Sequence, residues 1–236
     1  GLAKTGDDVR GGLRAYDPRR ERLHLLRESY GVTPAEGNRE LAAACRMLVL
    51  AVKPQQAAHV LAEIRTVLAP DRHVLVSIAA GLSTDYLETC LRRPLPIIRV
   101  MPNTPAQLQC GASAFCRGRH AGDEVAAEVK KLLAAVGWAV EVQEDAMDAV
   151  TALSGSGPAY VFRLCELMIV AGMELGLTRE HAEGLSTRTV LGAARMLVET
   201  GRGAGELRAA VTSAGGTTEA ALRYLDENDF EKIFTT

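Results

Sequence analysis

The stretch MLVLAVKPQQAAHVLAEIRTVL, Met47–Leu68, decides the fold. Met47–Val52 is a continuous apolar run, as a strand buried on both faces should be, and it stops at Lys53-Pro54. Behind it Ala57, Val60, Leu61, Ile64, Val67 and Leu68 recur at the spacing of an amphipathic helix. Toward the N-terminus, Leu13–Tyr16 is a short strand ending at Asp17-Pro18, with a charged helix after it through Arg27. Toward the C-terminus, His73–Ile78 is a strand ending at Ala79-Ala80-Gly81, and Ile97–Met101 is another ending at Pro102-Asn103. Ala112–Cys116 and Trp138–Val142 are two more, flanking a helix at Asp123–Val136. This rhythm predicts an α/β domain: a mostly parallel sheet with helices on both faces. Right-handed crossovers then put every loop that follows a strand on one edge, where such sheets bind ligands. Asp17, Lys53-Pro54, Ala79-Ala80-Gly81 and Pro102-Asn103-Thr104 are nominated by that rule alone.

After about Asp145 the strand signals stop. Helices are expected at 158–176, 179–200, 204–212 and 217–227, with Ser156 and Thr178 as caps and Gly176 and Gly201 at helix ends. The expected division is 1–147 for the sheet domain and 148–236 for an all-α domain. Pro158–Leu177 is apolar over the length of a membrane span, but Arg163, Glu166 and Glu174 are costly in lipid. It reads as a helix buried in protein at a subunit interface, and so the second domain as a dimerisation domain.

Composition excludes several classes. The chain has 236 residues, 47% apolar and 24% charged, with a formal net charge of −2, so it is neither disordered nor a basic nucleic-acid or membrane-surface binder. Cys45, Cys90, Cys110, Cys116 and Cys165 are odd in number and irregular in spacing, which argues for reduced thiols in a cytosolic or organellar protein, with the cytoplasm expected, and for no metal site. No signal peptide is visible at Gly1–Arg10. The five histidines are scattered and read as surface or core residues.

Three segments carry chemistry. In VTSAGGTTEAAL, Val211–Leu222, two glycines feed a helix that starts near Thr217. Its free N–H groups suit a carboxylate or phosphate; an ordinary capping turn uses the same residues. In LSGSGPAY, Leu153–Tyr160, an interdomain hinge with Ser156 as cap explains every residue. RVMPNTPA, Arg99–Ala106, is a strand end with a proline-stiffened loop, and Asn103 suits either a turn or a ligand. Lys53 suits an anionic cofactor or open solvent.

Together with AVKPQ at Ala51–Gln55, SIAAG at Ser77–Gly81 and DAVTALSGSGPAYVF at Asp148–Phe162, these segments resemble the delta-1-pyrroline-5-carboxylate reductase family, in order and in spacing. The resemblance implies a Rossmann-like domain binding NADPH or NADH, followed by an α-helical domain that interlocks with a second subunit. The homodimers of such a family can build decamers. It implies reduction of a small cyclic imino acid, 1-pyrroline-5-carboxylate, to proline, the last step of proline biosynthesis. Thr218 matches the threonine that contacts the substrate nitrogen; Gly215, Gly216 and Thr217 would hold the carboxylate, with Ser213 behind them. Ala51, Val52, Lys53 and Pro54 would line the nicotinamide side, with Asn103 beyond. Ala79, Ala80 and Gly81 would pass the ribose, and Asn38 matches an asparagine near the adenosine.

Asp17 favours the free ribose of NAD, whereas Arg19 or Arg20 suits the 2′-phosphate of NADP. Ala214 stands where the family usually has proline or lysine. The family's glycine-rich GxGxxG turn has no counterpart before Asp17. Gly1–Lys4 reads as the end of a first helix, so about 20–30 residues of a βαβ unit are expected ahead of it. The rival readings are a reductase of a related cyclic imine and a non-catalytic dimeric paralogue.

Overall fold

The computed structural model describes residues 12–235. The expectations for Gly1–Lys4 and for a signal peptide at Gly1–Arg10 therefore lie outside the described residues. The chain divides into two compact units, the first ending at Tyr160 and the second beginning at Val161.

In the first unit, β1 (Arg14–Ala15) leads through α1 (Arg20–Tyr30) to β2 (Thr33–Pro34), and the two strands pair in parallel. Helix α1 runs three residues past Arg27 and closes at Gly31, whose left-handed φ of 67° lets its N–H return to Arg27. α2 (Asn38–Ala44) then precedes the main sheet of β3 (Met47–Leu50), β4 (Val74–Ser77), β5 (Ile97–Met101), β6 (Gly111–Arg117) and β7 (Gly137–Glu141), in that spatial order. α3 (Pro54–Ile64), α4 (Thr84–Leu91) and α5 (Asp123–Ala134) make the crossovers. Pro54 opens α3 at the first turn, where its missing N–H costs nothing.

The core has two layers. Ala57, Leu61 and Ile64 of α3 and Leu87 and Leu91 of α4 pack with Leu48, Leu50, Leu75 and Ile97 on one face of the sheet. On the other face Ala126, Val129 and Leu133 of α5 pack with Val74, Val76, Ile98, Val100 and Phe115. The alternation within each strand sends neighbours to opposite helices.

The sheet is mostly parallel, as expected, but the placing of every strand-end loop on one edge and the two-sided burial of the first long strand need correction. Strands β3, β4 and β5 are parallel, but β6 pairs antiparallel with β5, and β7 follows β6 in parallel. The carboxyl ends of β6 and β7 therefore lie on the opposite edge from those of β3–β5. The physical reason is length: the 3₁₀ turn Thr104–Leu108 between β5 and β6 is too short for a parallel crossover. Burial on both faces also fails for Val49, which is 47% exposed. Among the described residues β3 pairs with β4 alone.

The start of the helical region also differs. α6 (Met147–Val150) continues through a π-helical turn, Thr151–Gly155, into α7 (Gly157–Glu174). Ser156 has helical backbone angles and does not cap, whereas the capping site here is replaced by continuous winding. The second unit holds α8 (Arg179–Glu199), α9 (Ala204–Ala210), α10 (Thr217–Glu227) and α11 (Phe230–Thr235) besides most of α7. Thr178 caps α8 by accepting the His181 N–H, and Gly176 and Gly201 have positive φ at the helix ends, as the sequence predicts.

Candidate active site

The sheet edge at the ends of β3 and β4 carries small, open residues. Ala51 and Lys53 are exposed, and Val52 and Pro54 are half-buried. Lys53 is the N-cap of α3 in extended conformation, and its side chain makes no capping bond. After β4, Ala79 is buried while Ala80 and Gly81 are exposed. Gly81 has φ 75°, and a Cβ there would meet nothing within 4 Å. A backbone that is uncovered and sterically clear is what the close approach of a ribose or phosphate requires. The residues present therefore fit a dinucleotide.

The other predicted cofactor residues are engaged within the chain. Asp17 accepts the Arg19 backbone N–H at 2.9 Å and its guanidinium at 3.2 and 3.3 Å. These bonds hold the Asp17 carboxyl below its ordinary 3.8. The acid and the base that point to different cofactors thus bind each other. Asn38 donates to Glu63 at 2.8 Å. Asn103 accepts the Ala112 N–H at 2.9 Å and donates to Ser154 Oγ at 3.3 Å, while Ser154 donates to the Ala112 carbonyl. Asn103 therefore staples the β5–β6 loop to the π-helical turn. Gly155 is close-set there: a Cβ would stand 2.3 Å from Met101 Cε.

A second cluster escaped sequence reasoning. Glu144 accepts the Thr84 N–H at 2.7 Å, the Thr84 hydroxyl at 2.5 Å and the Arg99 guanidinium at 3.1 Å. Burial opposes its ionisation, but these bonds and the Arg99 charge outweigh it and keep the carboxyl below its ordinary 4.5. The one available signal was an arginine inside an apolar strand, since a buried cation demands a partner.

In the second unit the turn Ser213–Thr218 has a specific geometry. Gly215 takes φ 70°, and its N–H donates to Glu219 Oε2 at 2.7 Å. The Gly216 N–H donates to the Ser213 carbonyl at 3.0 Å. Gly216 is the N-cap of α10 and offers no capping side chain. The N–H groups of Thr217, Thr218 and Glu219, which have no acceptor within the helix, thus stay open among the described residues. The expected donors are shifted: Gly215 and Gly216 shape the turn, and the next three residues present the amides. Thr218 is half-buried; Thr217 and Ser213 are exposed.

Other reactive groups lie elsewhere. Among the described residues all five cysteines are free, and burial pushes the Cys116 thiol up to about 11, which leaves it protonated at neutral pH. His73 is a core histidine, accepting the Ala69 N–H at 2.9 Å and facing the Ala42 carbonyl at 3.1 Å.

Residues 144–236 match the family described as pyrroline-5-carboxylate reductase dimerisation, and residues 1–81 match that described as NADP oxidoreductase, coenzyme F420-dependent. A pyrroline-5-carboxylate reductase of Corynebacterium melassecola is 42% identical over 94% of this chain and 83% of its own. That of Pseudomonas aeruginosa is 41% identical over 94% and 81%. The solved reductase of Coxiella burnetii superposes with a TM-score of 0.87 at 36% identity, covering 94% of this chain and 82% of that one. The Plasmodium falciparum enzyme, solved with NADP bound, gives 0.83 at 31% identity over 94% and 81%.

Proposed function

The chain belongs to the pyrroline-5-carboxylate reductase family, an oxidoreductase that reduces 1-pyrroline-5-carboxylate to proline with a nicotinamide cofactor, and we propose that its substrate is held by the turn Ser213–Thr218. The observation that carries this reading is the set of open N–H groups at the start of α10. They offer hydrogen bonds and the positive end of the helix dipole to the substrate carboxylate.

Reduction needs a hydride on the C=N carbon and a proton on the ring nitrogen. The cofactor supplies the hydride when bound. Thr218 orients the imine through its hydroxyl, which is too weak an acid to protonate it unaided and so acts as a relay or a positioning donor. Ser213 and Gly216 fix the bend that aims Thr217 and Thr218. Lys53, at the head of α3, offers a charge to the cofactor's phosphates, and Ala79–Gly81 leave room for its ribose. Holding imine and nicotinamide face to face supplies much of the rate.

We assign residues 1–147 to cofactor binding and 148–236 to substrate binding and dimerisation. The described residues of the second unit expose Phe162, Leu164, Leu167, Leu191 and Leu197, apolar surface suited to cover by a second copy of the chain. A homodimer, and decamers built from it, is the assembly this supports. The free thiols suit a reducing cytoplasm. No helix among the described residues is long and apolar enough to cross a membrane.

The deciding experiment is oxidation of NADPH and NADH, in parallel, with pyrroline-5-carboxylate by the full-length protein and its Thr218→Ala variant. Turnover is expected to fall by about 10²-fold with the fold intact. Wild-type turnover in the variant removes Thr218 from the reaction.

A further inference from the structure

Arg99 is the one Lys or Arg that is buried among the described residues, at 8% exposure, and it lies mid-strand in β5. A cation in that place must be paired, and Glu144 pairs it at 3.1 Å. Glu144 does more than neutralise. It takes both the N–H and the hydroxyl of Thr84, the first residue of α4, across sixty positions of sequence. Ser83, the local cap, serves the Tyr86 N–H instead. The start of α4 is therefore tied down by a distant carboxylate rather than by its own turn alone.

The loop in question is Ala79–Ser83, between β4 and α4. At one end the Ile78 N–H donates to the Leu50 carbonyl, and the Ala79 N–H reaches Ser77 Oγ at 3.4 Å. Ala80, Gly81 and Leu82 form no hydrogen bond among the described residues. Ala80 and Gly81 are exposed, while Ala79 is buried and Leu82 packs against the core, so the polar anchors of the loop are β4 on one side and the start of α4 on the other.

We propose that Glu144, fixed by Arg99, is a positioning residue that sets the Ala79–Gly81 loop for the cofactor by fastening Thr84. This inference rests on the reading that the loop receives the nicotinamide dinucleotide. Glu144 touches neither substrate nor cofactor; it acts through Thr84.

The test uses the full-length protein and the variants Glu144→Gln, Thr84→Val and Thr84→Ser. Titration calorimetry reads the Kd for NADPH in the absence of substrate, steady-state kinetics read kcat and both KM values, and thermal melts report folding. Glu144→Gln and Thr84→Val are expected to raise the NADPH Kd and KM roughly five- to twentyfold, a scale between the net worth of a neutral and of a charge-assisted hydrogen bond. The kcat should stay within about twofold, and Thr84→Ser should restore binding, because the hydroxyl is the shared feature. Lower melting temperatures with an unchanged Kd would reduce the cluster to a structural pair and overturn the inference. Thr84→Val decides if Glu144→Gln fails to fold, since it keeps the Arg99–Glu144 pair. Gly81→Val serves as the control within the loop. If it weakens NADPH binding while the two cluster variants do not, the positioning role falls and the cofactor loop stands. If it also leaves binding unchanged, the loop reading falls as well.

Discussion

Gly215 shows how one residue shapes the proposed substrate site. Its φ of 70° is accessible to glycine at no cost, and the resulting bend turns its N–H onto Glu219 and leaves the amides of Thr217 and Thr218 open. Gly215→Ala is expected to impose about 1–2 kcal/mol of strain and to raise the KM for pyrroline-5-carboxylate roughly tenfold, as steady-state kinetics will show. Glu144 sets a pH dependence. Its carboxyl is more acidic in the folded chain than its ordinary 4.5, so its contribution to stability is fully present above that value. The contribution is lost as pH falls through the folded-state value. Denaturant titrations should show Glu144→Gln less stable than wild type at pH 7, with the gap closing in acid.

At the scale of elements, β6 and β7 illustrate a tolerance set by backbone contact. Gly137 opens β7 at φ 145° opposite Gly111, and a Cβ there would stand 2.0 Å from the Gly111 carbonyl oxygen. Gly137→Ala must part the two strands, and a loss of more than about 2 kcal/mol in urea unfolding is expected. Leu61 of α3 is fully buried between β3–β5 and α4, and Leu61→Ala should cost about 2–5 kcal/mol by the same measurement. The elements with strong periodicity, β3, α3, β4 and β5, were legible in the sequence. The strand Thr33–Pro34 was not: two residues, one unable to donate, leave no pattern to read.

At the scale of the whole molecule, the second unit buries Ala182 and Leu207 but leaves many of its large apolar side chains exposed. Among the described residues α7 contains no buried residue, although Phe162 and Leu167 belong to a strongly apolar helix. A second copy of the chain is the expected cover, and the protein should sediment as a dimer or larger at micromolar concentration. Leu167→Glu places a charge among these exposed apolar side chains and is expected to shift the equilibrium to monomer.

The sequence by itself determined the strands of the main sheet, the long helices, the two-part plan, the family and the residues of the turn Ser213–Thr218. Periodicity and glycine placement are local, and local rules suffice to read them. Tertiary structure alone decided which amides of that turn are open, that Asp17 and Arg19 bind each other, that Asn103 serves Ser154, and that Glu144 completes Arg99 and Thr84. Hydrogen-bond partners distant in the chain are chosen by the folded geometry, where a buried donor takes whichever acceptor the packing brings within 3 Å or so.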